Sequence, residues 1–195
     1  LLIKGKKKAR GIEETVAAYD PTKPSATEQE RFKLQLNVDG IKSQEERNIH
    51  GQFSTPYVLA RQIVARSLAE LPLSDPVSFL EPALGSGVFY SALMQVIGDH
   101  AILEAVGVEQ DEAYAKIAAK LFIDKDFKVL VQDFFAFARA DGNRSRFNLL
   151  CTNPPYVRHH HIESSLKQEL QALVYKNLGL KISGLSGLYM YFVLL

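Results

Sequence analysis

Several absences bound this 195-residue chain before any motif is read. It holds one cysteine, Cys151, inside an apolar run, so no intrachain disulfide can form and a reducing, cytoplasmic setting is the simpler expectation. No apolar stretch reaches the roughly 18 residues that a membrane helix requires. The basic opening KGKKKAR is not followed by a signal-peptide core, so no membrane partner is expected. Charge of one sign is also lacking: Lys plus Arg total 23 against 22 for Asp plus Glu, a formal net charge of +1. That balance neither requires nor excludes a polyanion, and local clusters decide more than the total. No internal repeat is present. The chain opens on Leu1 instead of Met and stops on LYMYFVLL without a cap or polar tail, so the expectation is a piece of a longer protein.

What is present is a hydrophobic fraction of 47%, enough for one main domain. Residues 1–50 are polar and charge-rich and read as an arm or helical appendage. Its KGKKKAR run suits either phosphate contact or plain solvation. From Thr55 the pattern changes. Pro56 can open a helix in which Leu59, Ile63, Val64 and Leu68 recur at helical spacing, and VSFLEP then reads as a strand. A helix marked by Phe89, Leu93, Val96 and Ile97 follows, closed by Gly98. Ala101 to Val108 is a second strand. Tyr114, Ile117, Ala118 and Leu121 mark another helix, FKVLVQD a third strand and FNLLCTNPPY a fourth. Strands alternating with helices predict an α/β fold, a mostly parallel sheet with helices on both faces.

In such a sheet all strand carboxyl ends share one edge, where open α/β sheets bind ligands. Four features meet there. ALGSG is a tight turn whose Gly85 and Gly87 let backbone N–H groups approach a ligand. Tyr90 stands three positions after Gly87, where a dinucleotide fingerprint wants a small residue, so that match fails. Glu109, 22 residues past Gly87, can accept hydrogen bonds from two ribose hydroxyls. Asp133 and Phe134 can bind an adenine amino group and cover its ring. Glu81 adds negative charge that repels a pyrophosphate and favours an ammonium or sulfonium. Taken singly, each acid could merely cap the next helix. Together they point to a positively charged nucleoside, and S-adenosylmethionine fits.

The fourth strand ends in NPPY. Pro154 and Pro155 have no N–H, so this turn offers acceptors and withholds donors. The Asn153 side-chain oxygen and the Pro154 carbonyl can both bind one exocyclic amino group. Two such acceptors favour the nucleophilic form of an aromatic amine and stabilise the charge that grows on nitrogen as it attacks a methyl group. Tyr156 can stack on the base.

These residues bring a family into view. From Gly51 to Leu195 the chain resembles the amino-terminal part of an S-adenosylmethionine-dependent DNA adenine-N6 methyltransferase of restriction-modification systems, type II or IIG. GQFSTP, FLEPALGSGVF, GVEQDEAY, VQDFF, NPPYVR and SGLSGLYMYF resemble six of its motifs in order. The resemblance implies a Rossmann-like class I methyltransferase fold, incomplete at the C-terminus, with residues 51–195 a partial catalytic domain lacking the target-recognition domain. It implies that Thr55, Glu81, Ala83, Glu109, Gln110, Asp133, Phe134 and Phe192 contact the cofactor, with Gly85 and Gly87 in its glycine turn, and that Asn153, Pro154 and Tyr156 hold the adenine. Gln110 departs from the branched apolar residue common in the family, which predicts altered affinity. The implied partner is double-stranded DNA with a flipped adenine, together with a fused or separate nuclease or specificity subunit.

Arg158 and the run His159 to His161 follow the catalytic turn. Three adjacent histidines cannot all face one metal from a regular element, so no metal site is expected there, and a polar loop near the DNA backbone is the preferred reading. Two other functional readings share the motifs. One is methylation of a protein glutamine amide or an RNA guanine amino group. The other is a cofactor-binding DNA-recognition subunit without catalysis, against which the intact Asn153 counts.

Overall fold

A computed structural model describes residues 23–43, 45–46, 51–123, 126–140 and 146–195. The KGKKKAR run lies outside the described residues. The elements are α1 (Ala26–Ile41), α2 (Tyr57–Leu68), β1 (Val77–Glu81), α3 (Val88–Val96), β2 (Ile102–Glu109), α4 (Glu112–Leu121), β3 (Phe127–Val131), α5 (Phe134–Arg139), β4 (Leu149–Leu150), α6 (Ser164–Leu178) and α7 (Leu188–Leu194).

The four strands form a parallel sheet in the order β3-β2-β1-β4. The central strand VSFLE is buried along its whole length, as a parallel strand covered on both faces must be. Side chains alternate across it. Phe79 joins a core with Ala60, Val64 and Leu68 of α2, Phe89 and Leu93 of α3 and Ala118 of α4. Leu80 joins a second core with Phe135 and Phe137 of α5, Leu170 and Val174 of α6, and Tyr191 of α7. Helices therefore cover both faces, as the alternating pattern predicts.

Two details differ from the periodicity reading. In α2 the buried row is Ala60, Val64 and Leu68, while Leu59 and Ile63 are 47% and 38% exposed. The helix presents an i, i+4, i+8 row in which alanine, not the larger residues, permits close approach to α3. The fourth strand is also much shorter than FNLLCTNPPY. Only Leu149 and Leu150 pair with β1, and the Asn148 and Cys151 amides extend the ladder to Ser78 and Leu80 at 3.0 and 3.1 Å. Pro154 and Pro155 lack the donors to continue it.

Residues Ala26–Ile41, within the segment read as an arm or appendage, form a helix capped by Ser25 and docked on the domain. Its inward row is polar. Glu28, Arg31 and Gln35 are 2%, 1% and 5% exposed, and the Arg31 guanidinium donates to both Glu28 carboxylate oxygens at 2.7 Å. Buried charges persist only when paired in this way.

Candidate active site

At the carboxyl edge of the sheet the chain encloses a cleft of about 320 Å³. Its floor is the turn between β1 and α3. Gly85 and Gly87 both have positive φ, +54° and +88°, which other residues adopt only at a cost. They serve different ends. A Cβ on Gly85 would meet nothing within 4 Å, whereas one on Gly87 would stand 3.0 Å from Phe122 Cε2 and 3.3 Å from Ala118 Cβ. Gly85 thus leaves room at the cleft, and Gly87, which does not line it, lets α4 pack against the turn.

Glu81 is fully buried at the end of β1. Its oxygens accept the amide hydrogens of Phe89 at 3.2 Å and Tyr90 at 3.0 Å in the first turn of α3. Burial outweighs these bonds and the nearby Arg31 charge and pushes its carboxyl up to about 8. Glu109 ends β2. It accepts from the Gly85 amide at 2.7 Å and the Asp111 amide at 2.8 Å, which locks this carboxylate to the glycine turn. Burial also raises its pKa, opposed by those two bonds. Asp133 caps α5 through the Ala136 amide at 2.9 Å, and Phe134 is buried against Phe192, with ring centroids 4.7 Å apart and nearly parallel.

The titratable acids lining the cleft are Asp39, Glu81, Glu109 and Asp133, and burial holds Glu81 largely protonated near neutral pH, so the negative charge expected of it is supplied there by the other acids. No Lys, Arg or His among the described residues lines it. Such a cleft repels phosphate groups and attracts a cation.

The NPPY turn stands at one side. The Asn153 amide nitrogen donates to the Phe53 carbonyl at 2.8 Å, so the side-chain oxygen remains an acceptor available to the cleft that Asn153 lines. The turn is clamped by the segment before α2. Gly51 has φ +62°, and a Cβ there would lie 2.4 Å from the Tyr156 nitrogen. The Tyr156 amide donates to the Gly51 carbonyl at 3.4 Å, and the Phe53 and Tyr156 rings meet edge to face at 6.4 Å. On the far side the Leu188 amide donates to the Val157 carbonyl at 2.9 Å, which ties α7 to the exit of the turn.

Of the residues singled out from the sequence, the cleft brings together Thr55, Glu81, Ala83, Gly85, Glu109, Gln110, Asp133, Phe134, Asn153, Pro155 and Phe192. Pro154 and Tyr156 do not line it; Tyr156 is 54% exposed beside Phe53. His159 to His161 form a single 3₁₀ turn. Gly51 and Phe53 lie in the GQFSTP motif, of which the sequence reading names Thr55 alone as a cofactor contact, while the cleft residues Gln35 and Asp39 belong to no motif. The signal for the last two is the spacing Glu28, Arg31, Gln35, Asp39, a helical row, which also suits a solvated charged face.

With this geometry in view, the fold is that of the class I S-adenosylmethionine-dependent methyltransferases. A Listeria monocytogenes protein assigned to that class superimposes with a TM-score of 0.56 over 86% of this chain and 48% of its own, at 20% identity. The type IIG restriction endonuclease BpuSI superimposes with a TM-score of 0.61 over 85% of this chain and 20% of its own, at 12% identity. In sequence, the chain is 32% identical over 114 residues to the type II methyltransferase M.CvrRI of Paramecium bursaria Chlorella virus XZ-6E. That match takes in 58% of this chain and 26% of the viral protein, so the chain spans about a quarter of that relative's length. No protein-family profile matches.

Proposed function

We propose that this protein transfers a methyl group from S-adenosylmethionine to the exocyclic N6 amino group of adenine in DNA, as the modifying activity of a restriction-modification or related defence system. The observation that carries the reading is the tethered Asn153 amide, whose oxygen stands beside a cleft lined by four acids and, among the described residues, by no basic side chain.

The residues fit that cofactor. Glu109 and the Gly85 turn suit a ribose, Phe134 and Asp133 an adenine, and the surrounding acids suit a sulfonium and an ammonium but not a pyrophosphate. When bound, S-adenosylmethionine supplies a methyl group on a positively charged sulfur that keeps the bond electrons as the methyl departs. The chain's own work is to hold the attacking nitrogen. Asn153 and the Pro154 carbonyl accept its two hydrogens, draw its lone pair out of the ring and stabilise the positive charge that develops. Afterwards the methylated amine is acidic enough to release a proton to water without a dedicated base.

Reaching adenine requires flipping it from the duplex, which costs a few kcal/mol. Tyr156, Phe53 and Tyr189 are 54%, 55% and 43% exposed, with Tyr156 6.4 Å from each of the other two rings. They offer faces on which a flipped base regains stacking of about 1–3 kcal/mol. The sequence similarity to M.CvrRI, a type II methyltransferase, supports the DNA substrate. Transfer of labelled methyl groups to unmethylated DNA, with the modified nucleoside identified, tests the proposal.

A further inference from the structure

We infer that helix α1, which lies upstream of every motif of the family resemblance, is a wall of the cofactor cleft, and that its Asp39 shares with Glu109 the recognition of the ribose hydroxyls. The inference rests on the nucleoside reading of the cleft and extends it.

Gln35 and Asp39 line the same cleft as the glycine turn and Glu109. Gln35 is 5% exposed, and its oxygen accepts from Arg31 at 2.6 Å and from the Ser86 hydroxyl at 2.8 Å, within the glycine turn itself. Arg31 also donates to Ser86. One buried guanidinium therefore fixes α1 directly to the turn on which the nucleoside rests.

Asp39 stands one helical turn further on. Its Oδ1 accepts the Tyr114 hydroxyl at 2.6 Å. Tyr114 belongs to the first turn of α4, whose N-cap Asp111 donates its amide to Glu109. Asp39 is thereby held at the end of the cleft where Glu109 lies. At the C-terminus of α1, Lys42 pairs with Asp111 and sits 4.4 Å from the centre of the Tyr114 ring, securing this end as Arg31 secures the other.

The chemistry explains why a second carboxylate is useful. Each Glu109 oxygen already accepts one backbone amide, from Gly85 or from Asp111. A carboxylate has about four acceptor sites. A ribose presents two vicinal hydroxyls, and two partly occupied carboxylates on one edge give each hydroxyl its own partner. Gln35, with its amide nitrogen 3.3 Å from Asp39 Oδ2, keeps the Asp39 carboxylate turned along the cleft wall.

Calorimetric titration of the protein with S-adenosylhomocysteine and its 2′-deoxy and 3′-deoxy counterparts tests this, for wild type, Asp39→Ala and Asp39→Asn. We expect Asp39→Ala to weaken S-adenosylhomocysteine about tenfold to a hundredfold, and to weaken one deoxy analogue much less, since that ligand lacks the hydroxyl Asp39 would serve. Asp39→Asn, which keeps an acceptor for Tyr114, should show the same selectivity with a smaller loss. An unchanged melting temperature of the unliganded variants separates this from damage to the helix. Unaltered affinity in Asp39→Ala overturns the inference, and so does an equal loss for all three ligands. If wild type binds none of the three, the nucleoside reading itself falls, an outcome distinct from failure of Asp39 alone.

Discussion

The Asn153 amide nitrogen lies 2.8 Å from the carbonyl oxygen of Phe53, a bond between residues 100 positions apart. It decides which end of the amide faces the cleft. A carbonyl can only accept, so it selects the nitrogen and leaves the oxygen for a donor such as an exocyclic amino group. Asn153→Ala removes that acceptor without touching Glu109 or the glycine turn. The expected result is S-adenosylmethionine affinity within about twofold of wild type and methyl transfer reduced by at least ~10²–10³, measured by calorimetry and by label incorporation on one preparation.

Glu109 acts on the other half of the site. Its carboxylate both faces the cleft and holds the amides of Gly85 and Asp111. Glu109→Ala should therefore weaken S-adenosylmethionine by about 1.5–3 kcal/mol, or tenfold to a hundredfold in Kd. Transfer at saturating cofactor should be much less affected. A variant with normal affinity and lost transfer would reverse the division of labour between Glu109 and Asn153.

Gly51 carries the clamp on the NPPY turn. With φ +62° and the Tyr156 nitrogen 2.4 Å from where its Cβ would be, an alanine cannot be accommodated without moving the GQFSTP segment away from NPPY. Gly51→Ala should lower stability by more than about 1 kcal/mol, seen in thermal melts. It should also lower methyl transfer more than cofactor affinity, because the Phe53 carbonyl moves with the segment.

Glu81 gives the site a pH dependence. Its carboxyl, raised from 4.5 to about 8 by burial, keeps its proton in the folded protein where the unfolded chain has released it. The stability it contributes is full below pH 4.5 and is lost as pH rises toward 8, a decline that Glu81→Gln should reduce in melting temperatures measured across that range. Binding runs the opposite way. A cationic ligand favours the ionised carboxylate, so S-adenosylmethionine affinity should rise between pH 6 and 8 in wild type, with a flatter profile in Glu81→Gln. The raised Glu109 acts in the same direction, which leaves a residual slope in that variant.

The strand-ending acids, the glycine turn and NPPY were legible from sequence because each is local: a strand, a turn and a side chain within a few residues. The parallel sheet followed from their alternation with helices. Less visible were the roles those residues share. Asp133 caps α5, Gly87 makes room for Ala118 and Phe122, and Glu81 tethers the start of α3. Such contacts depend on tertiary neighbours that spacing does not reveal. Helix α1 was the largest gap. A row of Glu28, Arg31 and Gln35 has the composition of a solvated face, and only the opposing Ser86 and the buried pairing distinguish it. The clamp of Gly51 and Phe53 on Asn153 was likewise hidden, being formed by backbone atoms.

The central claim is methyl transfer to adenine, and its most direct test is incubation of the protein with unmethylated bacterial DNA and methyl-labelled S-adenosylmethionine, followed by nucleoside analysis. The account predicts label in N6-methyladenine, abolished by Asn153→Ala. Demonstrated cofactor binding with no label in any DNA nucleoside would contradict it.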